Sequence, residues 1–255
     1  QSIGIVTSQT VNIKQPLKLA CGLVLETHNL VYETYGELNS LKSNGILLCH
    51  ARSGDHDAAG FYAGDSKPGW WDHYVGPGKP IDTENFFVVS LNNIGSCFGS
   101  TGPTSINPDT GKLWGADFPS LRARDWVESQ KMLMEHLGID CWAAVIGGSL
   151  GGMQAMRWSL EHPDKLLNAV VIASSMKLTA QNIAFNEIAR RAIKSDPDFC
   201  DGHYLEQNKA PLRGLALARM IGHVTYLSDE LMGQKFGRQL RIGDLIDKSN
   251  DPIEF

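Results

Sequence analysis

Short apolar runs alternate with helical patterns through the first 175 residues of the chain. Four compact runs are rich in Val and Ile, and each is bounded by Gly, Asn, Asp or Ser. Runs that are apolar on both faces are typical of buried parallel strands. The four predicted strands are Ile46–His50, Phe86–Leu91, Trp142–Gly147 and Ala169–Ala173.

A helical pattern lies between the second and third of these strands, from Leu121 to Leu137. Trp126, Gln130 and Leu133 recur at helical spacing within it, and Gly138 is a suitable stop signal. Alternation of strands and helices is typical of a parallel α/β sheet. The sequence therefore predicts an α/β fold with a mostly parallel sheet flanked by helices.

The pattern changes after Ser174, where no further strand is evident. Three helices are predicted instead, over Thr179–Lys194, Leu212–Leu227 and Ser228–Leu240. We therefore predict a sheet core over residues 1–176 and a helical cap over residues 177–255. The sequence ends in a polar stretch directly after Asp-Pro, so the cap is interpreted as incomplete.

Composition narrows the possible partners. The chain has 42% hydrophobic and 20% charged residues and a formal net charge of −5, which gives no indication of a nucleic-acid or membrane partner. No stretch approaches the roughly 20 apolar residues of a membrane span. Five widely spaced cysteines form no C-x-x-C pair, which favours free thiols in a reducing cytoplasm.

The segment Gly147-Gly148-Ser149-Leu150-Gly151 fits the pattern G-x-S-x-G. It lies between a predicted strand and a predicted helix over Gly152–His162, which is the context of a nucleophile elbow. We predict that Ser149 has a positive φ on a sharp turn and that the Leu150 amide donates to an oxyanion. The alternative is a glycine-rich turn of a phosphate site, but the segment lacks the Gly-Lys-Ser/Thr ending of such loops.

A second oxyanion donor in such folds comes from the loop after an earlier strand, here residues 49–55. The alternative is that this loop is only a surface connection. His50, His56 and Asp57 lie close together in sequence, but their spacing fits no standard zinc pattern, and no metal site is predicted.

Several motifs together resemble the homoserine O-acyltransferases of methionine biosynthesis, which have the α/β-hydrolase fold. The resemblance covers nearly the whole chain. Its matching segments are Gly147–Gln154, Leu91–Gly95, Gly99–Pro103, Ala218–Ile221, Gly69–Asp72 and Gly76–Lys79.

The resemblance implies acyl transfer from acyl-CoA to the homoserine hydroxyl through an acyl-serine, without a cofactor, in a cytoplasmic homodimer. Ser149 would be the nucleophile, and the backbone amides of Leu150 and Arg52 would form the oxyanion hole. Arg219 and Tyr226 would face the substrate from the cap, with the guanidinium pairing to the amino acid's carboxylate. The alternative for Arg219 is an ordinary surface cation on a helix.

Two departures from the family pattern matter. The family usually has Leu at the position of Arg52, and this long cation would attract the free carboxylate of a succinyl group. The family's triad carboxylate and histidine follow the cap, whereas none of the eight histidines here does so. We therefore expect a truncated chain that is poorly active alone, and His50 is the first candidate if a histidine within it serves as base.

Other functions remain open at this point. A serine O-acyltransferase or a serine esterase of the same fold would share the elbow, and a fragment without its triad partners would be non-catalytic. The sequence leaves acetyl and succinyl donors open, although the segment Gln181–Glu187 resembles family members that use succinyl.

Overall fold

The computed structural model describes residues 2–237. The chain divides into two compact units, Gln1–Lys177 and Leu178–Phe255. The sequence placed the boundary between a sheet core and a helical cap at residues 176 and 177. The two units are considered separately below.

The first unit contains the strands and two of the helices. Its strands are β1 (Gln9–Ile13), β2 (Leu17–Lys18), β3 (Val24–Leu25), β4 (His28–Tyr35), β5 (Gly45–Cys49), β6 (Phe87–Leu91), β7 (Ala144–Gly148) and β8 (Ala169–Ile172), and its helices are α1 (Ala123–His136) and α2 (Leu150–Glu161). The described part of the second unit contains α3 (Ala180–Lys194), α4 (Leu212–Tyr226) and α5 (Asp229–Phe236).

Six strands form one sheet in the order β1-β4-β6-β5-β7-β8. The pairs β5–β6, β5–β7 and β7–β8 are parallel, whereas β4 pairs antiparallel with both β1 and β6. Strands β2 and β3 form a separate two-stranded hairpin. The predicted α/β fold is confirmed, and because β5 and β7 are neighbours, the loop after β5 and the turn after β7 emerge side by side.

The central strands are buried on both faces, as their continuous apolar runs predicted. Leu47 of β5 and Val145 of β7 belong to one hydrophobic cluster, which also includes residues of α1 and α2. Leu48 and Ile146, one residue further along each strand, belong to a second cluster. Alternate side chains of a strand point to opposite faces, so each strand contributes to both clusters.

Strand β8 differs from this prediction of burial. Val170, Val171 and Ile172 are each about two-fifths exposed, although their run is as apolar as those of the central strands. The reason is position, because β8 lies at the edge of the sheet and pairs only with β7 within the described residues.

Strand β4 was not predicted, although it is the longest strand of the sheet. Its sequence includes His28 and Glu33, and both side chains are almost completely buried. Polar residues on the inside of a strand remove the apolar pattern by which a buried strand is recognised. The hydrophobic pattern of the sequence therefore did not predict β4 or β1, the strand that pairs antiparallel with it.

The predicted helices are confirmed with small shifts at their ends. Helix α1 ends at the predicted stop, where Gly138 has a φ of 69°, the left-handed conformation that terminates many helices. Its first turn is held by the buried Asp125, whose carboxylate accepts hydrogen bonds from the amides of Arg122 and Ala20, each at 2.7 Å.

In the second unit, α3 and α4 pack closely at a glycine. A side chain at Gly214 would lie 2.5 Å from the carbonyl oxygen of Ala192. The Asp196 carboxylate accepts a hydrogen bond from the Gly214 amide at 2.8 Å, which lowers the pKa of Asp196 and caps the start of α4. The predicted third helix extends to Leu240, and its last residues lie outside the described part.

None of the helices among residues 2–237 combines the length and apolar character that crossing a membrane requires. All five cysteines are free thiols.

His28 makes the stability of the fold dependent on pH. Burial lowers its pKa from the ordinary 6.5 to about 4, so the unfolded chain binds a proton between these values while the folded chain does not. Stability is therefore lost as pH falls from about 6.5 towards 4. We expect His28→Met to recover about 2 kcal/mol relative to the parent protein at pH 5 and almost none of this difference at pH 8.

Urea unfolding of both proteins at the two pH values measures this difference. His136→Gln, an exposed histidine on α1, is the control and should show no such pH-dependent gain. An equal effect of His28→Met at pH 5 and pH 8 would show that the substitution acts through packing alone.

Candidate active site

Ser149 occupies the turn between β7 and α2 in a strained conformation. Its φ is 54° and its ψ is −117°, so the predicted positive φ is confirmed. A non-glycine residue in this region costs of order 1–3 kcal/mol and persists only where the surroundings enforce it. The turn leaves the Ser149 side chain exposed at the carboxyl edge of the parallel strands.

The flanking glycines permit this turn because no side chain would fit. A Cβ at Gly147 would lie 2.2 Å from the backbone of Gly151, and a Cβ at Gly151 would lie 1.9 Å from the carbonyl oxygen of Cys49. Real Cβ contacts are essentially never this short. The first turn of α2 therefore packs backbone against backbone on the end of β5.

The end of β8 holds the turn from the other side. The Ser149 amide donates to the Ile172 carbonyl at 3.0 Å, and the Ser174 hydroxyl donates to the Ser149 carbonyl at 2.7 Å. Ala173 between them also has a positive φ, of 46°. The two hydrogen bonds to the end of β8 thus fix the backbone of Ser149, while its side chain stays exposed.

The two predicted oxyanion donors lie at adjacent strand ends. Leu150 is the first residue of α2, so its amide has no carbonyl partner within the helix. Arg52 lies in an exposed turn after β5, closed by a 3.0 Å hydrogen bond from the Gly54 amide to the Ala51 carbonyl. Its amide therefore lies outside any strand, and the role of the pair as an oxyanion hole stays a prediction.

His50, the first candidate base within the chain, is held by its backbone surroundings. Its ring is buried, with Nδ1 2.7 Å from the Ala51 carbonyl oxygen and Nε2 3.1 Å from the Asn93 amide. An amide N–H only donates, so Nε2 accepts and Nδ1 carries the proton. Burial lowers the pKa of His50, and accepting a further proton would break the bond to Asn93.

A second buried cluster supports the loop after β5 and was not predicted. Glu33 of β4 accepts hydrogen bonds from the hydroxyls of Tyr35, at 2.5 Å, and Tyr62, and Tyr62 also contacts His56 Nε2 at 3.1 Å. Burial raises the pKa of Glu33 and lowers that of His56. Burial also raises the pKa of Asp57 to about 6, with the carboxylates of Glu33, Asp55 and Asp65 adding to the effect.

Among the residues that the structure describes, no cluster of three or more His, Cys, Asp or Glu side chains is arranged to hold a metal ion. The triad carboxylate and histidine that the resemblance implies lie outside the described residues. Within those residues, no histidine side chain hydrogen-bonds to the Ser149 hydroxyl.

The second unit brings the two predicted substrate-binding residues together. Arg219 and Tyr226 lie seven residues apart on α4 and line one open groove of about 350 Å³, with His223 between them and Lys235 of α5 opposite. Both side chains are exposed. The surface that lines this groove is mainly apolar, although Arg219 and Lys235 contribute their side chains to it.

The parallel sheet, the strained serine and the glycine-flanked helix start together define an α/β-hydrolase fold with the geometry of a nucleophile elbow at Ser149. A family model described as alpha/beta hydrolase fold matches residues 45–245 of the chain. This region includes both the turn after β5 and the elbow.

Closer relatives give the particular family. The chain is 64% identical over all of its 255 residues to a homoserine O-succinyltransferase of Cellvibrio japonicus and 64% identical over 253 residues to one of Saccharophagus degradans. A homoserine O-acetyltransferase from Bacillus anthracis superposes with a TM-score of 0.85 at 30% identity, over 97% of this chain and 67% of that one. The chain belongs to the homoserine O-acyltransferase family.

The chain spans about two thirds of the length of these relatives, 67% of the Cellvibrio protein and 66% of the Saccharophagus protein. Esterase E22 is also similar in structure, with a TM-score of 0.85 at 35% identity over 95% of this chain and 68% of that one.

Proposed function

We propose that this protein transfers a succinyl group from succinyl-CoA to the hydroxyl of homoserine, through a covalent intermediate on Ser149, in methionine biosynthesis. The observation that carries the proposal is the strained, exposed Ser149 in a chain 64% identical to homoserine O-succinyltransferases. No cofactor is required, because the thioester already activates the acyl group.

The reaction has two halves. The Ser149 oxygen attacks the thioester carbonyl, its proton passes to a base, and the CoA thiolate leaves and takes up a proton to become the free thiol. The homoserine hydroxyl then attacks the acyl-serine, its proton passes to the same base, and the Ser149 oxygen leaves and is reprotonated. Each half forms a tetrahedral oxyanion, which the amides of Leu150 and Arg52 would stabilise.

The side chain of Arg52 supports a succinyl donor over an acetyl donor. Arg52 lies in the exposed turn that supplies the proposed oxyanion donor, and we propose that its guanidinium reaches the acyl chain attached to Ser149. A succinyl group carries a free carboxylate that pairs with a guanidinium, whereas an acetyl group offers nothing to pair with.

Arg219 is proposed to bind the homoserine carboxylate, and its replacement should separate the two halves of the reaction. We expect Arg219→Lys to raise the KM for homoserine about 10- to 100-fold, because an ammonium cannot form the bidentate pair. The rate of Ser149 acylation by succinyl-CoA should change less than about 3-fold, because homoserine takes no part in that step. Stopped-flow and steady-state kinetics measure the two steps.

Arg213→Lys is the matched control, since Arg213 is exposed on the same helix but does not line the groove. An equal loss in both steps for Arg219→Lys would instead indicate a folding defect and would contradict the assignment.

An esterase is the second candidate, favoured by the structural similarity to esterase E22. The two activities differ in what resolves the acyl-serine, an amino-acid hydroxyl or water. Purified protein incubated with succinyl-CoA or acetyl-CoA, and with homoserine, serine or neither, distinguishes them by the product formed. We expect O-succinylhomoserine to exceed free succinate; dominant hydrolysis would favour the esterase, and O-acylserine would favour the serine transferase.

We propose further that the protein functions in the cytoplasm as a homodimer. Five unpaired cysteines fit a reducing compartment. The exposed apolar residues Leu217, Met220 and Val224 on α4 suit a self-association surface. Light scattering coupled to size-exclusion chromatography measures the assembly.

A further inference from the structure

A buried chain of amide side chains lies beneath the elbow and is not part of the proposed chemistry. Gln130 of α1 and Gln154 of α2 are completely buried, as is the indole of Trp158. Uncharged side chains with this much hydrogen-bonding capacity are rarely buried unless every group has a partner.

The orientation of each amide follows from a single donor. The Trp158 indole N–H can only donate, and it lies 2.7 Å from Oε1 of Gln130. The amide nitrogen of Gln130 must therefore face Oδ1 of Asn93 at 2.9 Å and Oε1 of Gln154 at 2.6 Å. Both are acceptors, so Gln130 is fully satisfied.

The hydrogen bond donated by Gln130 also fixes the orientation of the Gln154 side-chain amide. Because its Oε1 accepts from Gln130, its amide nitrogen points away, towards the carbonyl oxygens of His50 and Leu150, each at 3.4 Å. His50 lies two residues before Arg52, and Leu150 follows Ser149. One side-chain amide thus joins the two backbone segments that carry both predicted oxyanion donors.

The same network also orders the loop after β6. Asn93 accepts from Gln130 through its side chain and donates its backbone amide to His50 Nε2 at 3.1 Å. The His50 segment is therefore held twice, by Asn93 on its ring and by Gln154 on its carbonyl. Gly151 permits this arrangement, because its missing side chain lets α2 approach the end of β5.

We propose that Gln154, oriented by Gln130, is a positioning residue that sets the distance between the Arg52 and Leu150 amides and so the shape of the oxyanion hole. This inference rests on the proposed function in taking Ser149 as the nucleophile and the Arg52 and Leu150 amides as the oxyanion hole. An oxyanion donor must lie 2.7–3.1 Å from the developing charge, so a small shift of one segment weakens catalysis while the fold remains intact.

Acylation of Ser149 by p-nitrophenyl acetate tests the proposal in the full-length protein, because this ester needs the nucleophile and the oxyanion hole but neither homoserine nor CoA. We expect Gln154→Met to lower the acylation rate constant about 10- to 100-fold with KM changed less than about 3-fold. Leu133→Ala, on the buried face of α1 one turn from Gln130, is the control. It should lower the Tm at least as much and leave acylation within about 3-fold of the parent.

Gln154→Glu provides a readout that a purely structural role would not give. Its carboxylate would repel the two carbonyl oxygens, whereas its protonated form would donate to one of them. Burial raises the pKa of such a carboxyl, so the acylation rate relative to the parent should rise as pH falls. This variant also keeps the test open if Gln154→Met fails to fold.

The inference would be overturned if Gln154→Met were acylated as fast as Leu133→Ala. It would also be overturned if the acylation rate of Gln154→Glu relative to the parent did not change with pH. If the parent protein is acylated by the ester but forms no O-succinylhomoserine, the proposed substrates fail and the positioning role stands. If Ser149 is acylated by neither donor, both fail.

Discussion

Ser149→Ala should abolish turnover while leaving the fold unchanged. We expect kcat for acyl transfer to fall by at least about 10⁴-fold, because loss of the nucleophile removes the covalent route and leaves only binding and electrostatic effects. The Ser149 side chain is exposed, so its removal leaves no cavity. The free energy of unfolding should therefore change by less than about 0.5 kcal/mol.

Ser159→Ala, on the helix α2 that follows Ser149, is the matched control. Its hydroxyl donates only to the Met156 carbonyl of its own helix, at 2.8 Å, and it should retain the activity of the parent protein. Activity of Ser149→Ala within about 10-fold of the parent would show that acyl transfer proceeds directly between the two substrates rather than through this serine.

Gly151→Ala should have the largest effect on structure of any single methyl group added near the site. The new Cβ would lie 1.9 Å from the Cys49 carbonyl oxygen and 3.1 Å from that of His50. These are backbone atoms of a central strand and its end, so they cannot move aside as a flexible side chain would. Helix α2 must move instead, away from β5 and from the predicted oxyanion loop.

We expect Gly151→Ala to lose about 3 kcal/mol or more of unfolding free energy, as for overpacked cores, and at least about 100-fold in kcat. Gly148→Ala is the stability control, because its Cβ would meet only the Ile172 carbonyl oxygen, at 3.9 Å. Thermal unfolding and steady-state rates of both variants measure the difference. Equal stability of the two variants would contradict the close packing of α2 on β5.

The central strands and the elbow were predictable because their physical requirements are local. A buried parallel strand needs a continuous apolar run, and β5, β6 and β7 each have one. The elbow needs small residues at fixed positions around Ser149, and the sequence provides them at Gly147 and Gly151. Such requirements can be recognised without knowledge of any distant contact.

Features that depend on contacts between separated parts of the chain could not be predicted from the sequence. Gln130 was recognised by its helical spacing from Trp126 and Leu133, but its partners lie on α2 and after β6. Glu33 was not recognised at all, because its partners Tyr35 and Tyr62 come together only in the fold. Both are buried polar residues that look like interruptions of an apolar pattern until their hydrogen-bond partners are known.

The roles of Arg52, Arg219 and Tyr226 were predicted from the family resemblance, because hydrophobic periodicity carries no information about substrates. The spacing of seven residues between Arg219 and Tyr226 places both on one face of α4, where they line the same groove. The roles themselves concern substrates and remain predictions that the variants above test.

The covalent succinyl-serine is the central claim, and rapid mixing with succinyl-CoA in the absence of homoserine tests it most directly. The protein is quenched in acid within the first turnover, digested and analysed by mass spectrometry. We predict one succinyl group on the peptide that contains Ser149, which disappears on addition of homoserine as O-succinylhomoserine forms. Product formation at full rate with Ser149 unmodified, or a succinyl group on another residue that is transferred to homoserine, would contradict the account.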